Sequence, residues 1–556
     1  MPPRLHGLTP CLTLCLTLCL TACEGKPEDS GYSSADGGPS GPGGPGGPGL
    51  PGGDDTGALD TADTDTTGPG GPGSDDTGGA TDGGGPSGPG GDDTDDGADE
   101  RPPADRYDLG GADLILSGEA EDDGLGRAVA GVGDVDGDDR DDVLIGADNA
   151  EGRLGAAYLL MGDGGQLVFV GEAESDNLGS SLAGGDVNGD GYDDVVMGAW
   201  GNDDGGYLAG AAYLVLGRSG GPSAGPSGAY RLSGADAKFT GEDIEGGAGS
   251  AVAVADVNGD GDADVIVGAF WDGTDDTEPG TAYIVEGPVS GNVALRNADA
   301  KLRGESPGDF ASLTTANAGD VNGDGLEDLI LGAYSNDNAG GEDAGAAYLV
   351  LGGRGASALS GSLSLSSADA KFTGETAGDQ VGYSVSGRVD VDDDGYDDLI
   401  LGNRKEDYEA EDYGGKAYII SGAGASGTRS LSLADVTLLG ETPSDAAGAT
   451  VSGAGDVNGD GIGDILVGAF RHDVGGEDSG AAYLVLGQVG LSGTIELATA
   501  EIRYDGEGTD SYTGIGLAAA GDYNRDGEGD VLIGASRADG DASDSGVAYL
   551  IFSGGL

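Results

Sequence analysis

Seven times this chain writes a nine-residue acidic loop and runs from it directly into a short apolar strand. The loops begin at Asp134, Asp186, Asp256, Asp320, Asp390, Asp456 and Asp522, so successive starts lie 52, 70, 64, 70, 66 and 66 residues apart. Recurrence at that period means one supersecondary unit stacked on copies of itself, because a single copy cannot bury its own apolar face. Any fold for the chain must therefore place seven equivalent units.

Within each loop, side-chain oxygens stand at positions 1, 3, 5 and 9, a backbone carbonyl falls at position 7, and cysteine and histidine are absent. An all-oxygen donor set suits a hard cation that takes six to eight ligands, which selects Ca2+ over zinc or copper. The side-chain donors are Asp134, Asp136, Asp138 and Asp142; Asp186, Asn188, Asp190 and Asp194; Asp256, Asn258, Asp260 and Asp264; and Asp320, Asn322, Asp324 and Asp328. They continue as Asp390, Asp392, Asp394 and Asp398; Asp456, Asn458, Asp460 and Asp464; and Asp522, Asn524, Asp526 and Asp530. The carbonyls belong to Arg140, Tyr192, Asp262, Leu326, Tyr396, Ile462 and Glu528. Up to seven Ca2+ ions are expected, each loop acting as a local site. An EF-hand does not fit, since it needs a Glu at position 12 and a helix on each side. The second loop has Met197 there and continues as the strand-like Val195-Val-Met-Gly-Ala-Trp200.

The rest of each unit also reads as strands. Upstream runs close on Gly-Glu, as in Ala237-Lys-Phe-Thr-Gly-Glu242 and Ala370-Lys-Phe-Thr-Gly-Glu375, and downstream runs read Gly-Ala-Ala-Tyr-Leu-Val-Leu-Gly at 210–217, 345–352 and 480–487. Between Gly-Glu and the loop lies a small-residue stretch such as Gly382-Tyr-Ser-Val-Ser-Gly387. Four short strands per unit, bounded by Gly, Asp and Ser turns, make a propeller blade. The expected fold is all-β, a seven-bladed β-propeller. Its ends support the count: the last unit stops at the third strand, Val547-Ala-Tyr-Leu-Ile-Phe552, while the first β-like run, Ala112-Asp-Leu-Ile-Leu-Ser-Gly-Glu119, is of fourth-strand type. The N-terminal strand is expected to complete the last blade and close the ring.

These motifs resemble the FG-GAP repeats of the integrin alpha-chain propeller. Gly185-Asp-Val-Asn-Gly-Asp-Gly191, Gly319-Asp-Val-Asn-Gly-Asp-Gly325 and Gly455-Asp-Val-Asn-Gly-Asp-Gly461 reproduce that family's loop, over a span of about 108–556. The resemblance implies structural Ca2+ at the positions named above, on the underside of the propeller between the first two strands of a blade. The departures are Trp200, Phe270, Tyr334 and Phe470 in place of the proline after Gly-Ala, and a mostly eroded Phe-Gly element. In the loops, Asp139 replaces a turn glycine, and Asp393 and Arg525 replace the glycine at position 4. The resemblance also implies that the loops joining second to third strands face partners, which makes Trp200, Tyr207, Phe270, Trp271, Tyr334, Tyr408, Tyr413, Phe470 and Arg471 the candidate ligand face.

Residues 1–22 read as a signal peptide: Arg4 precedes an apolar stretch from Leu8 to Ala22, too short to span a bilayer. Its end, Leu20-Thr-Ala-Cys23, resembles the lipobox of bacterial lipoproteins, which implies lipidation at Cys23. Cys11, Cys15 and Cys19 would leave with the signal, so no disulfide is expected. Residues 23–107, collapsed to Gly, Pro, Asp, Thr and Ser, have almost no apolar residues with which to form a core and read as a disordered tether. The propeller takes 108–556. The expected location is the outer membrane or cell surface, with the bilayer touched only through the lipid.

Net charge is −77, which repels nucleic acid. Catalysis has little support, since the two histidines are His6, in the signal, and His472, expected as an exposed loop residue, and there is no Gly-x-Ser-x-Gly elbow. The leading expectation is a non-catalytic calcium protein that mediates adhesion or binds an unknown protein or glycan ligand. The alternatives are an envelope hydrolase acting on polysaccharide and a purely structural surface protein.

Overall fold

Each apolar run after an acidic loop becomes the second strand of a blade: Asp142–Ala147, Asp194–Ala199, Asp264–Ala269, Asp328–Ala333, Leu399–Asn403, Asp464–Ala469 and Asp530–Ala535. Every residue of these strands is buried. That explains their unbroken Val/Ile/Leu composition, because a sheet covered on both faces has no side on which to alternate polar residues. The computed structural model describes residues 105–225, 228–273, 279–354, 359–404 and 414–554. The signal peptide, Cys23 and the tether up to residue 104 lie outside the described residues, as do Tyr408 and Tyr413.

The second blade shows the pattern. Leu178–Gly185, Asp194–Ala199, Ala211–Val215 and Ala237–Thr240 form an antiparallel meander in which Met197 faces Tyr213 and Tyr213 faces Lys238. Seven such sheets make the ring. Apolar clusters lie between neighbouring blades, as where Phe239 and Val196 pack with Val267 and Tyr283. The glycine one place before the end of each second strand is required by the next blade: a Cβ on Gly198 would overlap the Gly249 carbonyl oxygen. Leu114–Ser117 pairs antiparallel with Val547–Ile551, with Leu114 opposite Leu550, so the N-terminal strand closes the ring as its sequence type implies.

The expectation of four strands per blade needs correction. Six blades carry a fifth, outer strand that runs parallel to the fourth: Tyr230–Arg231, Gly291–Ala294, Gly361–Ser364, Gly427–Ser430, Gly493–Glu496 and Asp105–Asp108, on blades one to six in turn. The link from third to fourth strand therefore reaches back to the preceding blade before returning. It does so through one 3-10 turn that begins with a buried leucine: Leu232, Leu295, Leu365, Leu431, Leu497 or Leu109. Asp105–Asp108 also extends the paired ring slightly upstream of 108. The exception explains the short first interval. In blade one the link is a tight turn, closed by Met161 N to Gly165 O at 2.9 Å, which leaves no segment to cross over.

Candidate functional site

The acidic loops join first to second strands, so the meander puts all seven on one face of the ring, here the lower face. The second loop illustrates their local geometry. Asp186 accepts the amides of Asp190 and Gly191 at 3.1 and 2.8 Å, and Asp190 accepts that of Tyr192 at 3.1 Å. Asp194, at position 9, is fully buried and accepts the Val187 and Gly217 amides at 2.9 and 2.8 Å, one on each oxygen. Asp142, Asp264, Asp328, Asp398 and Asp464 repeat that arrangement, and Asp530 holds the Asn524 and Ser553 amides instead. Burial outweighs these amides and lifts six of the seven carboxyls to about 7 and Asp464 to about 6, with the neighbouring loop aspartates pushing the same way.

Two loops test whether these donors fit a cation. In the first and fifth, position 3 is Asp, and Asp134, Asp136 and Asp142, like Asp390, Asp392 and Asp398, each bring one carboxylate oxygen within 4.8 Å of the others. Asp136 Oδ1 and Asp392 Oδ1 are buried and accept no hydrogen bond. Three converging carboxylates with an unpartnered buried oxygen carry mutual repulsion and a desolvation penalty that a hard cation at their centre would relieve. The residues present fit a divalent cation.

The departures from the loop consensus keep its shape. Asp139, Asp393 and Arg525 adopt φ of 64, 58 and 62°, the left-handed conformation that the corresponding glycines hold elsewhere, as with Gly191 at 87° and Gly189 at 68°. Two of them also meet: Arg525 Nη2 pairs with Asp139 Oδ2 at 2.9 Å across the seam between the last and first blades. Both side chains are at least half exposed, so Arg525→Ala is expected to cost less than about 1 kcal/mol in urea unfolding.

The loops are not local sites, contrary to the sequence expectation. Position 8 of one loop reaches back to position 1 of the loop before it. The amides of Asp193, Ala263, Gly463 and Gly529 donate to the carbonyls of Asp134, Asp186, Asp390 and Asp456 at 3.1, 3.0, 2.9 and 2.8 Å. Where position 8 is acidic, its carboxylate also accepts the position 1 amide: Asp193 from Asp134, Glu327 from Asp256, Asp397 from Asp320 and Asp141 from Asp522, at 2.7 to 3.0 Å. The loops thus form a continuous hydrogen-bonded belt.

The Gly-Glu motif has a role that its sequence did not disclose. At five successive blade interfaces its glutamate crosses to the next blade and meets a buried or half-buried cation. These pairs are Glu172 with Lys238, Glu242 with Lys301 at 2.7 Å, Glu305 with Lys371 at 2.6 Å, Glu375 with Lys416 at 3.1 Å, and Glu441 with Arg503 at 2.8 Å. The Tyr213 and Tyr418 hydroxyls donate to Glu172 and Glu375 at 2.9 and 2.8 Å, and Lys238, Lys301 and Lys371 lie over the cross-strand Tyr213, Tyr283 and Tyr348 rings. His472 belongs to this girdle and is buried, not exposed, with Nε2 3.4 Å from Glu441 Oε2. Another acidic cluster, Glu242, Asp243 and Asp272, meets Lys301 and Arg303 through Glu242, while burial and then the neighbouring Asp272 raise Asp243 to about 6.

The upper face carries the second-to-third strand loops and the fourth-to-first connections. The structure joins most of the sequence-predicted aromatics there into one arc. Trp200 meets Trp271 at 6.3 Å between ring centroids, Trp271 meets Phe270 at 4.2 Å, and Phe270 meets Phe310 at 6.3 Å. Phe310 stacks on Tyr334 at 5.7 Å, Tyr334 meets Tyr383 at 5.8 Å, and Arg404 spans from Tyr383 to Phe470. Phe470, with Arg471 over it, meets Tyr512, on which Arg537 lies. Tyr207 is 61% exposed and stands apart from these contacts. Phe310, Tyr383, Tyr512, Arg404 and Arg537 were not anticipated. The available signal was their place beside the small-residue start of an inner strand or directly after a second strand.

The arc breaks at the first blade, where Asp148 occupies the position taken by Trp200 in the second. Asp148 is buried 3.8 Å from Arg127, and burial raises its carboxyl while Arg127 opposes the shift. Beside it a cavity of about 380 Å³ is lined by Arg127, Arg153, Asn149, Trp200 and Trp271.

Comparisons place this geometry among known proteins. The FG-GAP repeat family model matches residues 178–215, 248–285 and 313–350, the first three strands of blades two, three and four. Integrin alpha-V of Gallus gallus is 30% identical over 251 residues, covering 43% of this chain and 23% of the relative. Integrin alpha-PS2 of Drosophila melanogaster is 30% identical over 234 residues, 39% of this chain and 16% of the relative. Integrin alpha-IIb of Mus musculus is 34% identical over 171 residues, 30% of this chain and 16% of the relative. The chain thus spans less than a quarter of the length of these relatives. Among solved structures, virginiamycin B lyase from Staphylococcus aureus aligns at TM-score 0.38 and 11% identity over 79% of this chain and 98% of that one, a likeness too low to bear on function.

Proposed function

From the premise that this chain is a seven-bladed FG-GAP-repeat β-propeller, we propose that it is a Ca2+-stabilised binding module of the cell envelope, anchored through lipid at Cys23, with adhesion or ligand capture as its non-catalytic task. The observation that carries this reading is the division of labour between faces. The lower face gathers its carboxylates into a hydrogen-bonded belt of acidic loops whose donors fit a cation, while the upper face presents aromatics and arginines, the side chains that dominate recognition surfaces. Similarity to integrin alpha chains supports a role in adhesion or ligand binding. The oxygen-only loops support Ca2+ in preference to a softer metal. The ligand class is protein or glycan.

The binding claim is tested on the full chain with arrays of glycans and envelope proteins. Trp271→Ala and Arg153→Ala are expected to lose at least about tenfold in affinity, with the thermal midpoint of Arg153→Ala within about 2 °C of wild type and that of Trp271→Ala somewhat lower, because Trp271 also packs on Trp200 of the preceding blade. Unchanged binding in both variants would remove the upper face from the account. Polysaccharide turnover that falls in the same variants would replace the reading with a hydrolase. The anchor is tested separately: Cys23→Ala is expected to move the protein from the membrane fraction to the soluble one and to abolish labelling by a fatty-acid analogue.

A further inference from the structure

The blades differ at their outer edges. Six fourth strands are covered by a parallel fifth strand, whereas the fourth strand of the last blade, Leu114–Ser117, pairs with Val547–Ile551 on one side and has no partner on the other among the described residues. The cause lies in the first blade, whose Met161–Gly165 turn supplies no crossing segment. Natural sheets protect free edges with short strands, proline, charge, a bulge or a covering loop, and of these the last blade's edge has, among the described residues, only its length of four residues. Leu114-Ile-Leu-Ser117 contains no proline and no charged residue, and it pairs without a register break.

We propose that this edge is a docking site for an extended segment of a partner protein, which adds the missing fifth strand in parallel. The other blades define the chemistry of the occupant. Three of the outer strands place an aliphatic residue opposite the third residue of the fourth strand, Val293 opposite Phe239, Leu363 opposite Leu302 and Ile495 opposite Leu438, whereas blade four has Arg429 opposite Phe372. A leucine follows immediately and is buried, as Leu295 and Leu365 are. By that register the partner segment has the form Gly-x-Φ-x-Leu, with Φ opposite Leu116. Main-chain hydrogen bonds supply affinity, and the Φ and Leu side chains supply specificity. The chain's charge of −77 favours a neutral or basic partner.

The probe is a synthetic peptide of residues 291–299, which is one of the chain's own outer strands, added to the full-length protein. Saturable binding is expected, together with amide exchange at 114–117 slowed by at least about tenfold, and no binding by a peptide with Asp at the Φ and Leu positions. In a second variant, residues 162–164 are replaced by the 286–299 link so that the strand is supplied in cis, and peptide binding is expected to vanish. Equal binding to that variant would overturn the proposal, as would failure of the wild type to bind. Slow exchange at 114–117 before peptide is added would show that the chain covers its own edge. A wild-type dimer that the in-cis link converts to monomer would assign the edge to a second copy. Either of these results also overturns the proposal.

Discussion

Stripping divalent cations from the full chain is expected to lower its thermal midpoint by roughly 10 °C or more, and restoring Ca2+ is expected to recover it. A single site present at about a hundredfold excess over its dissociation constant contributes about 2.7 kcal/mol, so a few occupied loops match a large share of the total stability of an ordinary domain. Without cations the belt opposes folding, because seven fully buried aspartates must either ionise with amide hydrogen bonds that do not offset their burial or take up protons. The sign of the pH effect follows. These carboxyls titrate near 7 in the fold against about 4 in the unfolded chain, so the folded state binds more protons between those values. In chelator their contribution is fully present below the ordinary carboxylate value and is lost as pH rises through about 7, so the protein should melt higher at pH 5 than at pH 8. Saturating Ca2+ holds the carboxylates ionised and should remove most of that slope. A chelated protein that is more stable at pH 8 would contradict the assignment of the position 9 aspartates.

The second large effect is expected on the opposite face. Glu441→Ala should cost about 3 kcal/mol, because it leaves Arg503, 4% exposed, without one of its two carboxylate partners and leaves His472 facing a gap. Glu441 is held down to about 2, first by its hydrogen bond from His472 and then by Arg503. Its stabilising contribution is therefore complete above the ordinary carboxylate value and is lost as pH falls through about 2. Denaturant midpoints of wild type and variant should lie far apart at pH 7 and converge below pH 3. A constant gap across that range would mean that the loss comes from packing and not from the charge network.

Most of the ring was legible in the sequence, and each failure has a physical origin. Strands buried on both faces announce themselves as unbroken apolar runs, and loops with fixed oxygen spacing cannot drift without losing their geometry. Both repeat seven times, and the mismatch between the chain's first and last β-like runs identified the closing strand. The outer fifth strands escaped because an edge strand buries little: Gly361-Ser-Leu-Ser364 has a single apolar residue and reads as a loop. Contacts between blades escaped for another reason. Glu441 and Arg503 lie 62 residues apart, and Asp522 and Asp141 lie 381 apart, so only the closed ring brings them together. His472 looked exposed because charged neighbours surround it in sequence, whereas the blade interface buries it. The upper arc was half legible: residues after Gly-Ala were marked, but Phe310, Tyr383 and Tyr512 enter from the following blade, beside small-residue strand starts whose contact with the preceding blade only the closed ring reveals.

The central claim is that the seven loops hold cations and that the belt unites them. It is tested most directly by counting bound Ca2+ per chain in equilibrium dialysis against graded free Ca2+, with the Asp460→Ala variant run beside the wild type. The account predicts several ions, up to seven, and a variant that loses one site and weakens the neighbouring sites, because adjoining loops share hydrogen bonds. No bound Ca2+ at millimolar free concentration would contradict it, and loss of one ion with the remaining isotherm unchanged would break the belt into independent loops.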